Sequence, residues 1–293
     1  GSIESANVTI ENPKNTSWVD ENASKHKERY YRIAAYGSET LEFNNNTIGK
    51  YDVLIREASG KVDKQEEGVL VSLPLIPFDN SLENIIRDAS AHPSPFSSER
   101  DSILTYRSTE EPSNVPENKW LSANYFDGYG WVGDFDKLEI GKGYWFRKVL
   151  EPYNLTFVGT VPTENLTLTI RDTLDSEGNT DSEGTLLGWN SPVEYCNLEG
   201  QLTGASGDPE PPEQGDWNDA VKTYNTTERP FKEPENKWIM AEYIEDGGGE
   251  GGNWYYAHPD DKLECFEPGK AYFFTRTNQT YEWTQERDPR AYV

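Results

Sequence analysis

Few residues of this chain have the types and spacing that catalysis or transition-metal binding requires. The 293 residues include two cysteines, Cys196 and Cys265, and three scattered histidines. The sequence contains no Gly-x-Ser-x-Gly, phosphate-binding loop, His-Glu-x-x-His or dinucleotide-binding pattern. The cysteines and histidines lack the spacing of a zinc site, and 52 acidic residues make any one pair of carboxylates uninformative. We therefore expect a protein that is not an enzyme and has no resident cofactor.

The chemistry that the sequence favours is covalent modification of asparagine. The Asn-x-Ser/Thr acceptor of N-linked glycans occurs eight times, whereas chance yields about three such triplets in a chain of this composition. The acceptors are Asn7, Asn15, Asn22, Asn45, Asn154, Asn165, Asn225 and Asn278. Since such triplets are modified only in exported proteins, their density predicts an extracellular or cell-surface glycoprotein whose acceptor side chains point outward.

Export also bears on the two cysteines. In an oxidising compartment Cys196 and Cys265 can form a disulfide, which would close a loop of about 70 residues and stabilise the fold by about 4 kcal/mol in the loop-entropy model. The alternative is two buried thiols. The disulfide is favoured because both cysteines lie near the opening and closing strands of one repeat copy.

The net charge of −25 excludes nucleic acid as a partner, because no basic patch could offset that field. The simplest interpretation of this charge is that acidic side chains keep an exposed protein surface soluble. Calcium is the one cation that the residues allow, at the acidic stretch 175–183 and at Asp134 and Asp136. The twelve-residue calcium-loop pattern is incomplete there, so a solvated acidic hairpin is the favoured interpretation.

An internal repeat is the strongest signal in the sequence. Residues 105–120 align with residues 223–238 at a constant offset of 118, and 10 of the 16 positions are identical. The downstream matches are Lys137-Leu138-Glu139 with Lys262-Leu263-Glu264, and the Gly-Lys-x-Tyr segment 141–144 with 269–272. The chain therefore contains two copies of one module, which we call copy 1 and copy 2.

Several segments carry a resemblance to a known kind of module. They are Gly188-Trp189-Asn190, Trp238, Pro268-Gly269-Lys270-Ala271-Tyr272 and Gly141-Lys142-Gly143-Tyr144-Trp145-Phe146. This progression resembles a repeat module of secreted archaeal and bacterial surface proteins, over about residues 68–160 and 184–284. Copy 1 departs from it, because Ser72-Leu73-Pro74 stands where Gly-Trp-Asn would be. The resemblance implies a cell-surface location and a structural or adhesive role, and it carries over no catalytic residue.

The elements that must position these residues are short strands. Apolar and aromatic residues alternate or run together in short segments bounded by Asn, Gly and Pro, with one short helical segment per copy. This pattern predicts a mainly β chain of tandem small β-sandwich or barrel-like modules. We divide the chain into an N-terminal β segment at 1–67 without a counterpart in copy 2, copy 1 at 68–165 and copy 2 at 166–293. No apolar run is long enough to span a membrane.

The N-terminal segment offers a mode of assembly. Asn7, Val8, Thr9 and Ile10 form a β-prone stretch that is separated from the body of the chain by polar residues. The ordinary interpretation is a first strand of the N-terminal segment itself. The alternative is a donor strand that completes the sheet of a neighbouring identical subunit, which gives a head-to-tail homopolymer.

We therefore expect a structural, self-assembling subunit of an extracellular filament, sheath or surface layer, archaeal in type and carrying N-linked glycans. The alternative function is a carbohydrate-binding or adhesive module whose exposed rings stack on sugars. The candidate rings are Tyr125, Tyr129 and Trp131 in copy 1 and Trp254, Tyr255 and Tyr256 in copy 2. Rings that fill the core instead are the favoured interpretation.

Overall fold

The computed structural model describes both copies and the two strands that precede them. The described residues are 25, 27–36, 41–55, 68–89, 91, 100–107, 119–147, 153–171, 184–205, 219–225, 237–245, 252–256, 263–275 and 280–286. Within these ranges the chain forms sixteen strands and two short helices. No helix in these ranges is long and apolar enough to cross a membrane.

The described strands and helix of copy 2 follow the chain in the same order as their counterparts in the first half, which has two further strands. In the first half they are β1 (Glu28–Tyr36), β2 (Leu41–Ile55), β3 (Val69–Val71), β4 (Ile76–Pro77), α1 (Leu82–Ile85), β5 (Ser102–Arg107), β6 (Lys119–Phe126), β7 (Gly130–Gly133), β8 (Tyr144–Arg147) and β9 (Tyr153–Thr160). In the second half they are β10 (Leu166–Ile170), β11 (Thr185–Gly188), α2 (Leu198–Gln201), β12 (Ala220–Asn225), β13 (Lys237–Glu245), β14 (Gly252–Tyr256), β15 (Ala271–Thr275) and β16 (Tyr281–Gln285).

Copy 1 is a sandwich of two antiparallel sheets. The inner sheet has the strand order β3-β8-β5-β6-β7, and the outer sheet has the order β1-β2-β9-β4. Alternate residues of β9 enter the core: Leu155 and Phe157 are buried, whereas Asn154 and Thr156 between them are exposed. They pack against inward side chains of the inner sheet, including Phe146. The helix α1 closes one side of this core with Leu82, Ile85 and the following Ile86.

Copy 2 repeats the same two layers around a more aromatic core. Its inner sheet has the order β11-β15-β12-β13-β14, and its outer sheet contains β10 and β16. Trp189 stacks on Trp283 and on Phe266, with ring centroids 6.1 Å and 5.5 Å apart. The helix α2 begins at Asn197, whose side-chain oxygen accepts a hydrogen bond from the backbone N–H of Gly200. The prediction of a mainly β chain of small modules with one short helix each is confirmed.

The structural repeat begins one strand earlier than the sequence repeat. In copy 1, β2 pairs with the last strand β9, with Val53 opposite Leu155. In copy 2, β10 pairs with the last strand β16, with Leu168 opposite Trp283. The strand β2 is therefore the counterpart of β10, and our expectation that residues 1–67 have no counterpart in copy 2 is wrong for β2. Sequence comparison missed the pair because the two strands share alternating apolar positions rather than identical residues.

The two inner sheets pack against each other, so that the four sheets form consecutive layers. A core cluster between the copies contains Leu70, Tyr106 and Trp145 of copy 1 together with Leu186, Tyr224, Ala271 and Phe273 of copy 2. The middle strands β8 and β15 are consequently buried on both faces: Tyr144, Trp145 and Phe146 are all buried, and so is every residue of β15. This double burial explains why both strands read as continuous apolar runs instead of alternating ones.

Candidate functional site

The Gly-Lys-x-Tyr motif forms a tight turn that we call the Gly-Lys turn. In copy 1 it comprises residues 139–142, in which the backbone N–H of Lys142 donates to the carbonyl oxygen of Glu139 at 3.3 Å. Gly141 has a φ of +81°, a conformation that favours glycine. The hydroxyl oxygen of Tyr144 accepts the backbone N–H of Glu139 at 2.7 Å, and the Lys142 ammonium bonds the Glu139 carboxylate at 2.7 Å. The motif residues therefore hold the turn together.

Copy 2 contains the same turn at residues 267–270. Gly269 has a φ of +74°, and the hydroxyl oxygen of Tyr272 accepts the backbone N–H of Glu267 at 2.7 Å. The Lys270 ammonium bonds the Glu267 carboxylate at 2.6 Å. Glu139 thus corresponds to Glu267, so our alignment of Leu138-Glu139 with Leu263-Glu264 was wrong by three residues. The local identity of Lys-Leu-Glu hid an insertion in copy 2.

Each Gly-Lys turn docks on the opposite copy. The carbonyl oxygen of Gly269 accepts the backbone N–H of Ser72 at 2.9 Å, and that of Gly141 accepts the backbone N–H of Gly188 at 2.8 Å. A Cβ atom on Gly269 would lie 2.7 Å from Val53 in β2, and one on Gly141 would lie 2.5 Å from Leu168 in β10. Since β2 and β10 are counterparts, the two docking contacts are equivalent. The copies are therefore related by a pseudo-two-fold axis.

The aromatic contacts across the interface follow the same axis. Trp120 packs edge-on against Phe273 with ring centroids 5.7 Å apart, and Trp238 packs against Trp145 at 5.4 Å. Trp120 and Trp238 are equivalent in the repeat, and each is 38% exposed. Burial of such rings contributes about 1.5–3 kcal/mol each, whereas each backbone hydrogen bond contributes about 1 kcal/mol net. Ring burial therefore supplies most of the free energy that holds the two copies together, and the turns determine how the copies are aligned.

Two pairs of equivalent residues meet at the axis, and each pair contains one glycine. A Cβ atom on Gly188 would lie 2.4 Å from Cβ of Ser72. A Cβ atom on Gly143 would lie 2.8 Å from Cβ of Ala271. Only one side chain fits at each place, and it is Ser72 of copy 1 in the first pair and Ala271 of copy 2 in the second. Two copies of the same kind could not pair in this way, because Ser72 would meet Ser72 or Ala271 would meet Ala271.

The segment Ser72-Leu73-Pro74, where copy 1 differs from copy 2, also makes hydrogen bonds to copy 2. The Ser72 hydroxyl donates to the carbonyl oxygen of Lys270 at 2.7 Å. The Asn190 side-chain amide of copy 2 donates to the carbonyl oxygen of Leu73 at 2.6 Å. In the sequence Ser72 is a departure from the module pattern, but no residue near it along the chain indicates a contact between the copies.

The disulfide between Cys196 and Cys265 lies beside α2, with their Cα atoms 4.0 Å apart. It adjoins an antiparallel bridge between Tyr195 and Phe266. At the corresponding place copy 1 has a bridge between Ser81 and Lys137 instead. Counting back from Glu267 and Glu139, Cys265 corresponds to Lys137, so the cross-link lies where copy 1 has no cysteine.

Groups of potential metal ligands are sparse in the described part of the chain. Glu194 lies with Cys196 and Cys265 in one such group, but both sulfurs belong to the disulfide and neither can act as a thiolate ligand. Of the calcium candidates, the Asp134 carboxylate accepts the backbone N–H of Ser122 at 2.9 Å. The stretch 175–183 lies outside the described residues.

The glycosylation acceptors are described at two positions. Asn154 on β9 and Asn165 immediately before β10 are both exposed. Asn45 and Asn225 belong to β2 and β12, and their side chains lie outside the described part. The acceptors Asn7, Asn15, Asn22 and Asn278, and with them the proposed donor strand Asn7, Val8, Thr9 and Ile10, lie outside the described residues.

The candidate sugar-stacking rings divide into inward and outward groups. Trp254 is only 8% exposed, and its ring contacts Tyr243 at 5.5 Å between centroids. The equivalent Trp131 contacts Tyr125 at 5.6 Å and packs against the copy 1 core. Tyr129 and Tyr255 project outward, with 84% and 48% of their surfaces exposed. The side chain of Tyr256 lies outside the described part.

The fold and the paired turns define a class: a tandem β-sandwich protein whose two copies close on each other. No family model matches the chain, and no significant match was found among curated proteins or solved structures. The resemblance to surface-protein modules therefore stays a prediction.

Substitution of Gly141 or Gly269 by alanine should weaken the pairing of the copies. Gly128 provides the matched control, because its φ of +77° is similar but a Cβ atom there would meet nothing within 4 Å. All three variants should lose about 1 kcal/mol through backbone strain. Gly141→Ala and Gly269→Ala should lose about 1–3 kcal/mol more through overpacking, measured by urea denaturation. Equal losses in all three would show that the docking contacts contribute nothing.

The buried phenols of the turns predict a loss of stability at alkaline pH. Burial raises the pKa of Tyr144 and Tyr272 above the usual value. Because the folded-state pKa exceeds the unfolded value of about 10, this contribution is complete below pH 10 and is lost as the pH rises further. Tyr272→Phe should be less stable at neutral pH by about 1 kcal/mol, since Glu267 N–H loses its acceptor. It should also decline less steeply above pH 10, and an unchanged slope would contradict the assignment.

Proposed function

We propose that this protein is a structural, self-assembling subunit of an extracellular filament, sheath or surface layer. The observation that carries the proposal is the use of the repeat motif in packing. The motif contributes three side chains that could bind or react, and all of them take part in the turn that docks on copy 2: Glu139, Lys142 and Tyr144. Because these polar groups already bond to partners within the chain, they support a structural role better than a catalytic one.

The closure of the paired copies bears on how subunits join. A two-fold contact is self-complementary and stops after two partners, so the inner sheets and Gly-Lys turns are used up within one chain. Growth of a polymer then requires other surfaces, namely the outer sheets and the N-terminal segment. This division supports the hypothesis that residues 7–10 donate a strand to an identical subunit.

The alternative function, carbohydrate binding through stacked rings, has weaker support. Trp131 and Trp254 have the largest stacking surfaces among its candidates, and both pack toward the cores. Tyr129 and Tyr255 remain available on the surface. Two isolated tyrosines on different copies make a poorer sugar platform than a cluster of rings.

Deletion of residues 1–12 should abolish polymers. The full chain, examined by negative-stain electron microscopy without any added ligand, should form filaments or sheets. The deletion removes the β-prone stretch while leaving every described strand intact. The deleted chain should therefore stay monomeric with unchanged circular dichroism. Unaltered polymers after deletion would refute strand donation, and a monomeric full chain would refute the proposed function.

Glycans should be attached at the two described acceptors when the chain is exported by a host that glycosylates. Asn154→Gln and Asn165→Gln should each lose the mass of one glycan, because both side chains are exposed and carry the acceptor triplet. Asn84→Gln is the control, since Asn84 is also exposed but has no acceptor triplet. Intact-protein mass spectrometry measures the loss, and identical masses for all three variants would contradict the glycoprotein assignment.

A further inference from the structure

The outer sheet of copy 1 has an incompletely paired strand at its edge. On one side β9 pairs with β2 along its whole length, from Tyr153 to Thr160. On the other side it pairs with β4 at Thr160 and Gly159 alone. The strand β4 ends at Pro77, which has no N–H to continue a ladder. Residues 153–158 of β9 therefore have no ladder partner on that side within the described part of the chain.

The direction of the backbone groups on this edge follows from the register. The N–H of Val161 donates to the carbonyl oxygen of Thr47, so odd-numbered residues of β9 direct their backbone groups toward β2. Asn154, Thr156 and Val158 consequently direct their N–H and C=O groups away from β2. An edge of this kind is a template for one more strand.

A cleft with an apolar rim runs beside the unpaired edge. Its volume is about 550 Å³, and it lies between β9 and the region of α1, lined in part by Phe157, Ile85 and Arg87. Phe78 and Val158 stand at its rim with 65% and 47% of their surfaces exposed. Exposed rings and aliphatic groups next to backbone groups without a ladder partner in the described residues favour an extended peptide over a small polar ligand.

We propose that this edge of β9 accepts residues 6–10 of a second copy of the chain as an added strand. The inference rests on the proposed function, since it names the acceptor of the donated strand. Residues 6–10 are Ala-Asn-Val-Thr-Ile, in which Ala6, Val8 and Ile10 can face the cleft while Asn7 and Thr9 face solvent. A glycan on Asn7 would then point away from the contact. Asn154 lines the cleft, so modification of Asn154 and addition of the strand would exclude each other on one subunit.

Charge and length both favour this occupant. The segment 6–10 is uncharged in a chain of net charge −25, so its docking adds no repulsion. Residues 11–24 separate it from the described body, and an extended chain of this length spans about 45 Å. That length is sufficient for the segment to reach a neighbouring molecule.

A peptide-binding experiment tests the acceptor independently of polymers. A fluorescent peptide of residues 4–12 is titrated into the chain that lacks residues 1–12, produced without glycans, and anisotropy is followed. The peptide should bind, and Val158→Lys or Phe78→Ser should weaken binding about tenfold or more. Leu54→Lys is the matched control and should leave binding unchanged. Leu54 is 42% exposed on the same outer sheet, but it belongs to β2, on the side of β9 opposite the unpaired edge. A peptide carrying Val8→Asp and Ile10→Asp should not bind.

The outcomes separate this inference from the proposed function. Polymers of the full chain without peptide binding would leave the function standing and overturn the acceptor edge. Equal binding by Val158→Lys and the unchanged chain would also overturn it, since the peptide would then bind elsewhere. Peptide binding by the shortened chain, together with a full chain that stays monomeric and does not bind the peptide, would mean that the segment docks on its own molecule, which overturns the second copy as donor. Binding that is sensitive to Val158, together with polymers, supports both.

Discussion

The approach of two glycine turns to the opposite copies is the constraint on which the rest of the structure depends. Gly141 and Gly269 lie so close to β10 and β2 that a Cβ atom would displace the side-chain methyl groups of Leu168 and Val53. This approach places β8 and β15 back to back, and both strands must then be apolar on both faces. The tryptophans Trp120 and Trp238 cover the flanks of the same interface. The repeat signature is thus the signature of a packing contact.

The axis between the copies also accounts for their differences. At two places the equivalent residues of the copies meet, and in each pair one of them is glycine: Gly188 against Ser72 and Gly143 against Ala271. Each place carries one side chain, and the Ser72 hydroxyl lies within hydrogen-bond distance of the carbonyl oxygens of Lys270 and Trp189. The chain therefore pairs unlike copies only.

Much of the fold could be predicted from the sequence, for reasons that differ between elements. The strands around 105–120 and 223–238 are recognisable because their local pattern recurs, and α1 and α2 begin at polar residues followed by apolar ones. The role of β2 could not be predicted, because apolar alternation alone does not identify a partner strand. The correspondence of Glu139 with Glu267 was hidden by a three-residue insertion that happens to repeat Lys-Leu-Glu.

The sequence by itself determined the period-2 strands, the existence of two copies and the glycine at each Gly-Lys turn, because these properties depend on residues that are neighbours along the chain. Only the tertiary structure decided that the turns dock on each other's copies, that Trp131 and Trp254 face inward, and that one edge of β9 has an incomplete ladder among the described residues. The docking of the turns depends on contacts between residues more than a hundred positions apart, such as Ser72 with Gly269. The ring orientations depend on which strands share a core, as Trp131 does with Phe146. Local patterns limit what a strand can bury, but not which surface it meets.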